Sequence, residues 1–200
     1  MKILIRNSDS VVIYAQDDLI LDTEAHGNNW RDPNFNVENA TIVDAALPRL
    51  WSGAVWSYIN GVWSIANLAR YTELLNVEKT AFIIQIDTDA DALIRAVIGE
   101  RASQYEGVEK ESLAYKAAGY TGTVPPKVQA WATAKNQTAT WAADSQIATA
   151  EGWRNAENSL YAKRLLLKET ARAALDAAEL DSIKAQWSGF VAGLKTSLGV

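Results

Sequence analysis

Hydrophobic residues near the N-terminus occur in short runs separated by polar turns, a pattern typical of an antiparallel sheet. Strands are predicted at residues 3–5, 11–14 and 19–21. Asn, Ser and Asp at positions 7–10 predict a turn between the first two strands. Residues 25–39 are mostly polar, and Trp30 and Phe35 are their only large apolar residues. We therefore expect a long loop there, held against the sheet by these two rings.

The clearest local pattern is a hairpin around Asn60 and Gly61. This pair favours a type I′ turn because both residues tolerate positive φ. Counting outward from the turn predicts three cross-strand pairs, Ile59 with Val62, Tyr58 with Trp63 and Trp56 with Ile65. The three aromatic rings and Ile65 then share one face. This face, with Trp51 nearby, either covers a core or forms an open binding platform.

Helical patterns begin after the hairpin. A short helix is predicted over residues 67–76, and the apolar run 82–86 fits either a buried strand or the approach to another helix. The next helix is predicted to start at Asp87, with Thr88 as its N-cap and acidic residues in its first turn. The sequence Asp-x-Asp-x-Asp at 87–91 is unlike a calcium loop, which needs glycine and glutamate at later positions that hold Ala92 and Ile98.

Apolar spacing extends this predicted helix from Asp87 to about Gly119, a typical C-terminal stop. Gly99 and Gly107 lie inside it, and close approach of another helix would explain both. The Gly- and Pro-containing segment 119–126 predicts a rigid turn. A short helix with Val128 and Trp131 on one face is expected over 127–135.

The last part of the chain, residues 138–198, has no proline and many alanines. It predicts one very long helix, or two with a break near Gly152. Its apolar residues form a seam, at Trp153, Leu160, Leu167, Ala174, Ile183, Trp187, Phe190 and Leu194. An unbroken helix would reach about 90 Å. Part of the seam would then pack on another chain.

These patterns predict an α+β fold, with a small N-terminal antiparallel β domain and a long-helix C-terminal region. The expected organisation is an aromatic-rich β domain at 1–66, a connector at 67–86 and a helical hairpin or bundle at 87–200 with a very long last helix. Alanine, which favours helices, is concentrated in the second region.

Composition restricts the chemistry. The net charge is −5, which argues against a general nucleic-acid binder. The chain has no cysteine and a single histidine, His26. Because triads and histidine-rich metal sites would all need that one imidazole, we expect no catalytic residues, no metal site and no cofactor. No apolar stretch is long enough to predict a membrane span. Eight tryptophans instead indicate contact surface.

Several segments resemble the small proteins encoded beside tail-fibre genes in tailed bacteriophages and prophages. These segments are residues 5–9, 12–15, 30–33, 50–53, 56–58, 100–105 and 119–132. Such proteins are described as tail-fibre assembly or tail accessory proteins. The resemblance implies association with a fibre or baseplate protein, in the bacterial host cytoplasm during assembly or in the virion tail, and it implies no catalytic residues.

The leading hypothesis is a non-enzymatic tail-fibre or baseplate accessory protein, either a virion component or an assembly chaperone. Self-association through the long helices is a further expectation. The alternative is a carbohydrate-binding module that recognises host surface glycans through the face of Trp56, Tyr58 and Trp63. The candidate partner-binding residues are Trp30, Trp56, Tyr58, Trp63, Trp153, Leu160, Leu167, Trp187 and Phe190. A carboxylate-based hydrolase is a third, minor hypothesis.

Overall fold

A computed structural model describes residues 1–99 and 102–200, and it confirms the α+β class. Antiparallel strands are followed by five helices within the described residues. The chain divides into two compact units. The β unit consists of residues 1–81 and 175–178, and the helical unit consists of residues 82–174 and 179–200.

Eight strands form two antiparallel sheets in the β unit. The strands are β1 (Lys2–Arg6), β2 (Val11–Gln16), β3 (Ile20–Leu21), β4 (Ala25–Gly27), β5 (Trp30–Asp32), β6 (Ala40–Asp44), β7 (Trp56–Ile59) and β8 (Val62–Ile65). The larger sheet has the order β6-β1-β2-β7-β8, and the smaller one has the order β3-β4-β5. Strands β6 and β8 are therefore the edges of the larger sheet.

Alternation along β1 gives the large sheet two apolar faces. Ile3 and Ile5 point to one side, where they form a buried cluster with Val12. Leu4 points to the other side and packs with Leu19 and Ala25. Because β1 is paired on both sides, these side chains are covered from above and below.

The prediction of a long loop over residues 25–39 is wrong. The segment contains β4, β5 and a 3-10 turn at Val37–Asn39. Strand β4 pairs with both β3 and β5. Trp30 and Phe35 do pack against the cluster of Leu4, which confirms their predicted attachment. The polar composition had hidden the strands, since two- and three-residue strands carry almost no periodic signal.

The helices are α1 (Leu68–Val97), α2 (Ala102–Ala117), α3 (Pro126–Lys135), α4 (Ala139–Ala173) and α5 (Ala177–Leu198). The predicted connector at 67–86 and the helix start at Asp87 are wrong, because α1 runs without interruption through both. Thr88 is not an N-cap: its hydroxyl donates to the carbonyl oxygen of Ile84, one turn earlier. Residues 82–86 are helix rather than strand.

The helix predicted from Asp87 to Gly119 is two helices. Helix α1 ends at Val97, and Gly99 has a φ of +55°, a conformation that glycine adopts readily. Gly99 therefore allows a backbone conformation with positive φ. It does not make room for a neighbouring helix, contrary to the prediction, because an added Cβ would meet no atom within 4 Å. Gly107 does face a neighbour, the amino group of Lys127. Two residues of the predicted helix, Glu100 and Arg101, lie outside the described part of the chain.

The predicted stop near Gly119 and the short helix after Pro126 are confirmed. Helix α2 ends at Ala117, and the Tyr120 backbone N–H donates to the carbonyl oxygen of Tyr115. Val128 of α3 is buried with Tyr115 in a cluster against which Trp131 packs. Helices α2 and α3 both contact α4 around this cluster.

The prediction of one very long last helix is wrong, and so is the alternative prediction of a break near Gly152. Gly152 lies inside α4, whereas the interruption falls at residues 174–176. Helix α4 begins after Thr138, whose hydroxyl oxygen accepts from the backbone N–H of Trp141. Among residues 1–99 and 102–200, no helix combines the length and apolar character needed to cross a lipid bilayer.

Candidate protein-binding surface

The hairpin of β7 and β8 has the predicted register. Trp56 pairs with Ile65, Tyr58 with Trp63 and Ile59 with Val62. Asn60 and Gly61 have φ values of +50° and +87°, as a type I′ turn requires. The hairpin therefore has two faces, one aromatic and one that carries Ile59 and Val62.

The aromatic face is turned toward the interior of the β unit. Tyr58 and Trp63 pack against the cluster of Ile3 and Val12, and their ring centroids are 4.8 Å apart. The indole Nε1 of Trp63 donates to the carbonyl oxygen of Ala46 at 3.0 Å. This ring contributes to the core, and its donor is used within the chain.

Trp56 has a similar environment. Its Nε1 donates to the carbonyl oxygen of Leu50 at 3.2 Å. Its ring meets Tyr71 edge to face at 5.5 Å, and it meets Trp63 in the same way at 6.4 Å. Edge-to-face contacts of this kind stabilise aromatic clusters. Of the two alternatives for this face, a cover for the core or an open platform, the contacts fit the cover, because the rings contact one another and the first turn of α1.

Trp30 lies apart from this cluster. Its ring is 4.5 Å from that of Tyr14, and its Nε1 donates to the Gln16 side chain. The Tyr14 hydroxyl donates to Asp32 at 2.8 Å. Burial, together with this bond, raises the pKa of Tyr14 above its usual value. Trp30 therefore packs the small sheet against β2 of the larger sheet.

The opposite face of the hairpin, which we call the hairpin outer face, consists of Ile59 and Val62. Both side chains are exposed, with Val62 66% accessible. Behind them Ser57 and Ser64, which are paired across the strands, bring their hydroxyl oxygens within 2.7 Å. This bond ties the two strands together beneath an apolar tip.

The hairpin itself and the segments next to it in sequence contain no charged residue. Between Arg49 and Arg70 the sequence has no charged residue. Strand β8 is an edge of its sheet, and such edges are usually protected by lysine, proline or a bulge against pairing with another chain. Strand β8 contains neither lysine nor proline, so it lacks these two protections.

Three of the five helical candidates are buried by the chain itself. Leu160, Leu167 and Trp187 are each 2% exposed. The Nε1 of Trp187 donates to Asp89 of α1 at 2.8 Å. Trp153 and Phe190 are half-buried, and the Phe190 ring lies 6.0 Å from that of Trp187. With α4 and α5 separate, the seam does not form one 90 Å stripe.

Charged groups in the helical unit form local pairs. Asp87 of α1 lies 2.7 Å from the Lys168 amino group and 3.0 Å from Arg164 Nε, both on α4. At the other end of α4, Asp144 accepts from Lys116 at 2.8 Å and from the Tyr120 hydroxyl. These two donors hold the pKa of Asp144 below its usual value.

His26 contacts Asp22, with its Nε2 3.2 Å from the carboxylate. This bond and the backbone N–H groups of Glu24 and Thr23 lower the pKa of Asp22 to about 2. Across the described ranges 1–99 and 102–200, no group of three or more histidine or acidic side chains could hold a metal ion. The pair thus ties β4 to the turn before it.

Sequence reasoning did not single out Ile59 and Val62 as surface residues. The strand pattern does predict their position, because residues that alternate with the aromatic ones must point to the other face. It also missed the exposed residues Tyr161, Leu165 and Leu166 on α4, which lie outside the seven-residue spacing of the seam. Both omissions came from following the largest side chains.

Comparison with protein-family models, with curated proteins and with solved structures finds no match for this chain. The resemblance to tail-fibre-associated proteins stays a prediction that depends on the sequence segments quoted above.

Proposed function

We propose that this chain is a non-enzymatic accessory protein of a bacteriophage tail. It binds a tail-fibre or baseplate protein, as a virion component or as an assembly chaperone. It acts in the cytoplasm of the bacterial host during assembly, and in the tail if it is retained in the virion. The sequence resemblance motivates the choice of partner.

The observation that carries the proposal is the uncharged hairpin at the edge of the large sheet. Central parts of protein interfaces are depleted of charge. Ile59 and Val62 present apolar side chains at the tip, and β8 presents an edge to which a partner strand can add. The aromatic rings beneath hold the hairpin in place, so that the partner meets a surface that is already ordered.

The test is co-expression with the tail-fibre and baseplate proteins of the same phage or prophage. Val62→Lys places a charge on the hairpin outer face and should reduce co-purification of the fibre protein at least about tenfold. Val77→Lys is the matched control, because Val77 is 69% exposed and lies outside the hairpin, in α1. This control should bind like the unmodified chain.

Two results would overturn the proposal. The first is that the unmodified chain neither co-purifies with a fibre or baseplate protein nor raises the yield of folded fibre. The second is that both lysine variants bind equally well, which would remove the hairpin from the interface. Protein composition of purified virions then separates the two roles, since a chaperone is absent from finished particles.

A further inference from the structure

Helix α4 has an exposed apolar patch on the side opposite its buried seam. Leu160 and Leu167 face the interior, whereas Tyr161, Leu165 and Leu166 are exposed. Residues 161 and 165 are one turn apart, and the exposed Ala162 lies beside them, one turn before Leu166. We call residues 161, 162, 165 and 166 the α4 patch. Isolated exposed leucines are ordinary, but a contiguous group on one helix face indicates a contact surface.

Charged residues lie at both ends of the α4 patch. Glu151 and Arg154 precede it, and Glu169 and Arg172 follow it. At 100° per residue, all four fall on the same side of the helix as Tyr161 and Leu165. All four side chains belong to exposed residues.

The order of these charges is self-complementary. Positions 151 and 172 have their midpoint at 161.5, and so do positions 154 and 169. A two-fold axis between residues 161 and 162 would therefore place Glu151 opposite Arg172 of a second copy, and Arg154 opposite Glu169. A parallel arrangement would instead place each charge opposite its own kind. The charges thus favour antiparallel pairing of two α4 helices.

We propose that the α4 patch is a homodimer interface, in which two copies of α4 pack antiparallel about a two-fold axis near Ala162. Tyr161 and Leu165 form its apolar centre, and the four charged residues fix its register. The paired segment from Glu151 to Arg172 would be about 32 Å long at 1.5 Å per residue. One helix pair is a small interface, so we expect association that depends on protein concentration.

In each protomer Arg154, Glu169 and Arg172 already have ionic contacts, which the dimer would share. Arg154 lies against Glu109 of α2, and Arg172 lies against Glu169 one turn earlier. Arginine can donate to two carboxylates at once. The proposal is independent of the hairpin outer face, which belongs to the β unit.

Sedimentation equilibrium of the full chain over a range of concentrations tests the inference. The unmodified chain should dimerise, and Leu165→Lys should weaken the dimer at least about tenfold, because it buries a charge at the centre. Leu113→Lys is the matched control, since Leu113 on α2 and Leu165 are both 45% exposed. Circular dichroism verifies that both variants keep their helices.

Charge reversal tests the antiparallel order. Glu151→Arg and Arg172→Glu should each weaken the dimer at least about fivefold, because each creates two like-charge contacts. The double variant should restore the unmodified affinity. A chain that stays monomeric at every concentration, a Leu113→Lys effect equal to that of Leu165→Lys, or single reversals without effect would overturn the proposal.

Discussion

Trp56 and Trp63 of the β unit and Trp187 of the helical unit satisfy their indole donors in different ways. In the β unit, Trp56 and Trp63 donate to the backbone carbonyl oxygens of Leu50 and Ala46, both in the segment between β6 and β7. In the helical unit, Trp187 donates to a carboxylate, Asp89. The difference follows from backbone bonding, since helix carbonyls already accept from their own helix and loop carbonyls do not.

Trp131 illustrates the consequence for helices. Its Nε1 is buried on α3 and has no hydrogen-bond partner among the described residues. Its ring instead contacts the Lys135 amino group, 4.7 Å from the ring centroid. Away from its ends, a helix therefore offers a buried tryptophan donor only side-chain acceptors, such as Asp89, or leaves the donor without a bond. A loop-containing β unit can use its backbone.

The largest expected effect tests this contrast. Trp187→Phe removes the bond to Asp89 and should lower the free energy of unfolding by about 3 kcal/mol, from the lost charged hydrogen bond and lost volume. Trp63→Phe removes a bond to a neutral carbonyl and trims a ring that is only half-buried, so both losses weigh less and the cost should be about 1 kcal/mol. Urea denaturation followed by far-UV circular dichroism measures both.

A double variant separates the bond from the volume. Asp89→Ala added to Trp187→Phe should cost little more than Trp187→Phe alone, because the bond to Trp187 is already absent and only an exposed bond from the Gln85 amide is lost. If the two changes were additive, or if Trp63→Phe were the more damaging substitution, the contrast between carboxylate and backbone acceptors would be wrong.

Replacing a glycine by alanine should change the free energy of unfolding in opposite directions in the two units. Gly61→Ala forces a side chain into positive φ and should destabilise the hairpin by about 1 kcal/mol. Gly152→Ala should stabilise α4 by up to about 1 kcal/mol, because an added Cβ meets no atom within 4 Å and alanine favours helix. Thermal unfolding of the two variants gives both signs. Stabilisation by Gly61→Ala would contradict the type I′ turn.

The smallest effect concerns Asp22. Its lowered pKa means that the carboxylate stabilises the β unit above pH about 4, and that this stabilisation is lost as the pH falls toward 2. Removing the main cause by His26→Ala should raise the pKa of Asp22 toward 3.8, as an NMR titration of its carboxyl carbon would record. Asp9, whose pKa is lowered by Arg6, is the control and should not move.

Local chemistry made parts of the fold predictable. Asn60 and Gly61 specify a turn by their own conformational preferences, and the register of the hairpin follows from counting. Pro126 and Thr138 mark helix starts in the same direct way. By contrast, Thr88 has the same residue pattern as an N-cap, yet its hydroxyl is equally satisfied by Ile84 inside a continuous helix.

Other features depend on contacts that are distant in sequence. The interruption between α4 and α5 lies in an alanine-rich stretch, and the backbone N–H of Ala177 donates to the Tyr71 hydroxyl at 3.0 Å. No pattern near residue 177 indicates that partner. The hairpin sequence predicts which aromatic residues share a face. It does not predict that this face points inward, because that depends on contacts with Ile3 and Val12 in other strands.

The contact between Tyr71 and Ala177 also has a consequence for biosynthesis. The β unit includes residues 175–178, and residue 177 is added 96 positions after residue 81. At ~5–20 residues per second, that interval is about 5–20 s. The hairpin therefore leaves the ribosome well before its unit can be completed. The partner proposed above would therefore meet a nascent hairpin whose unit is still incomplete.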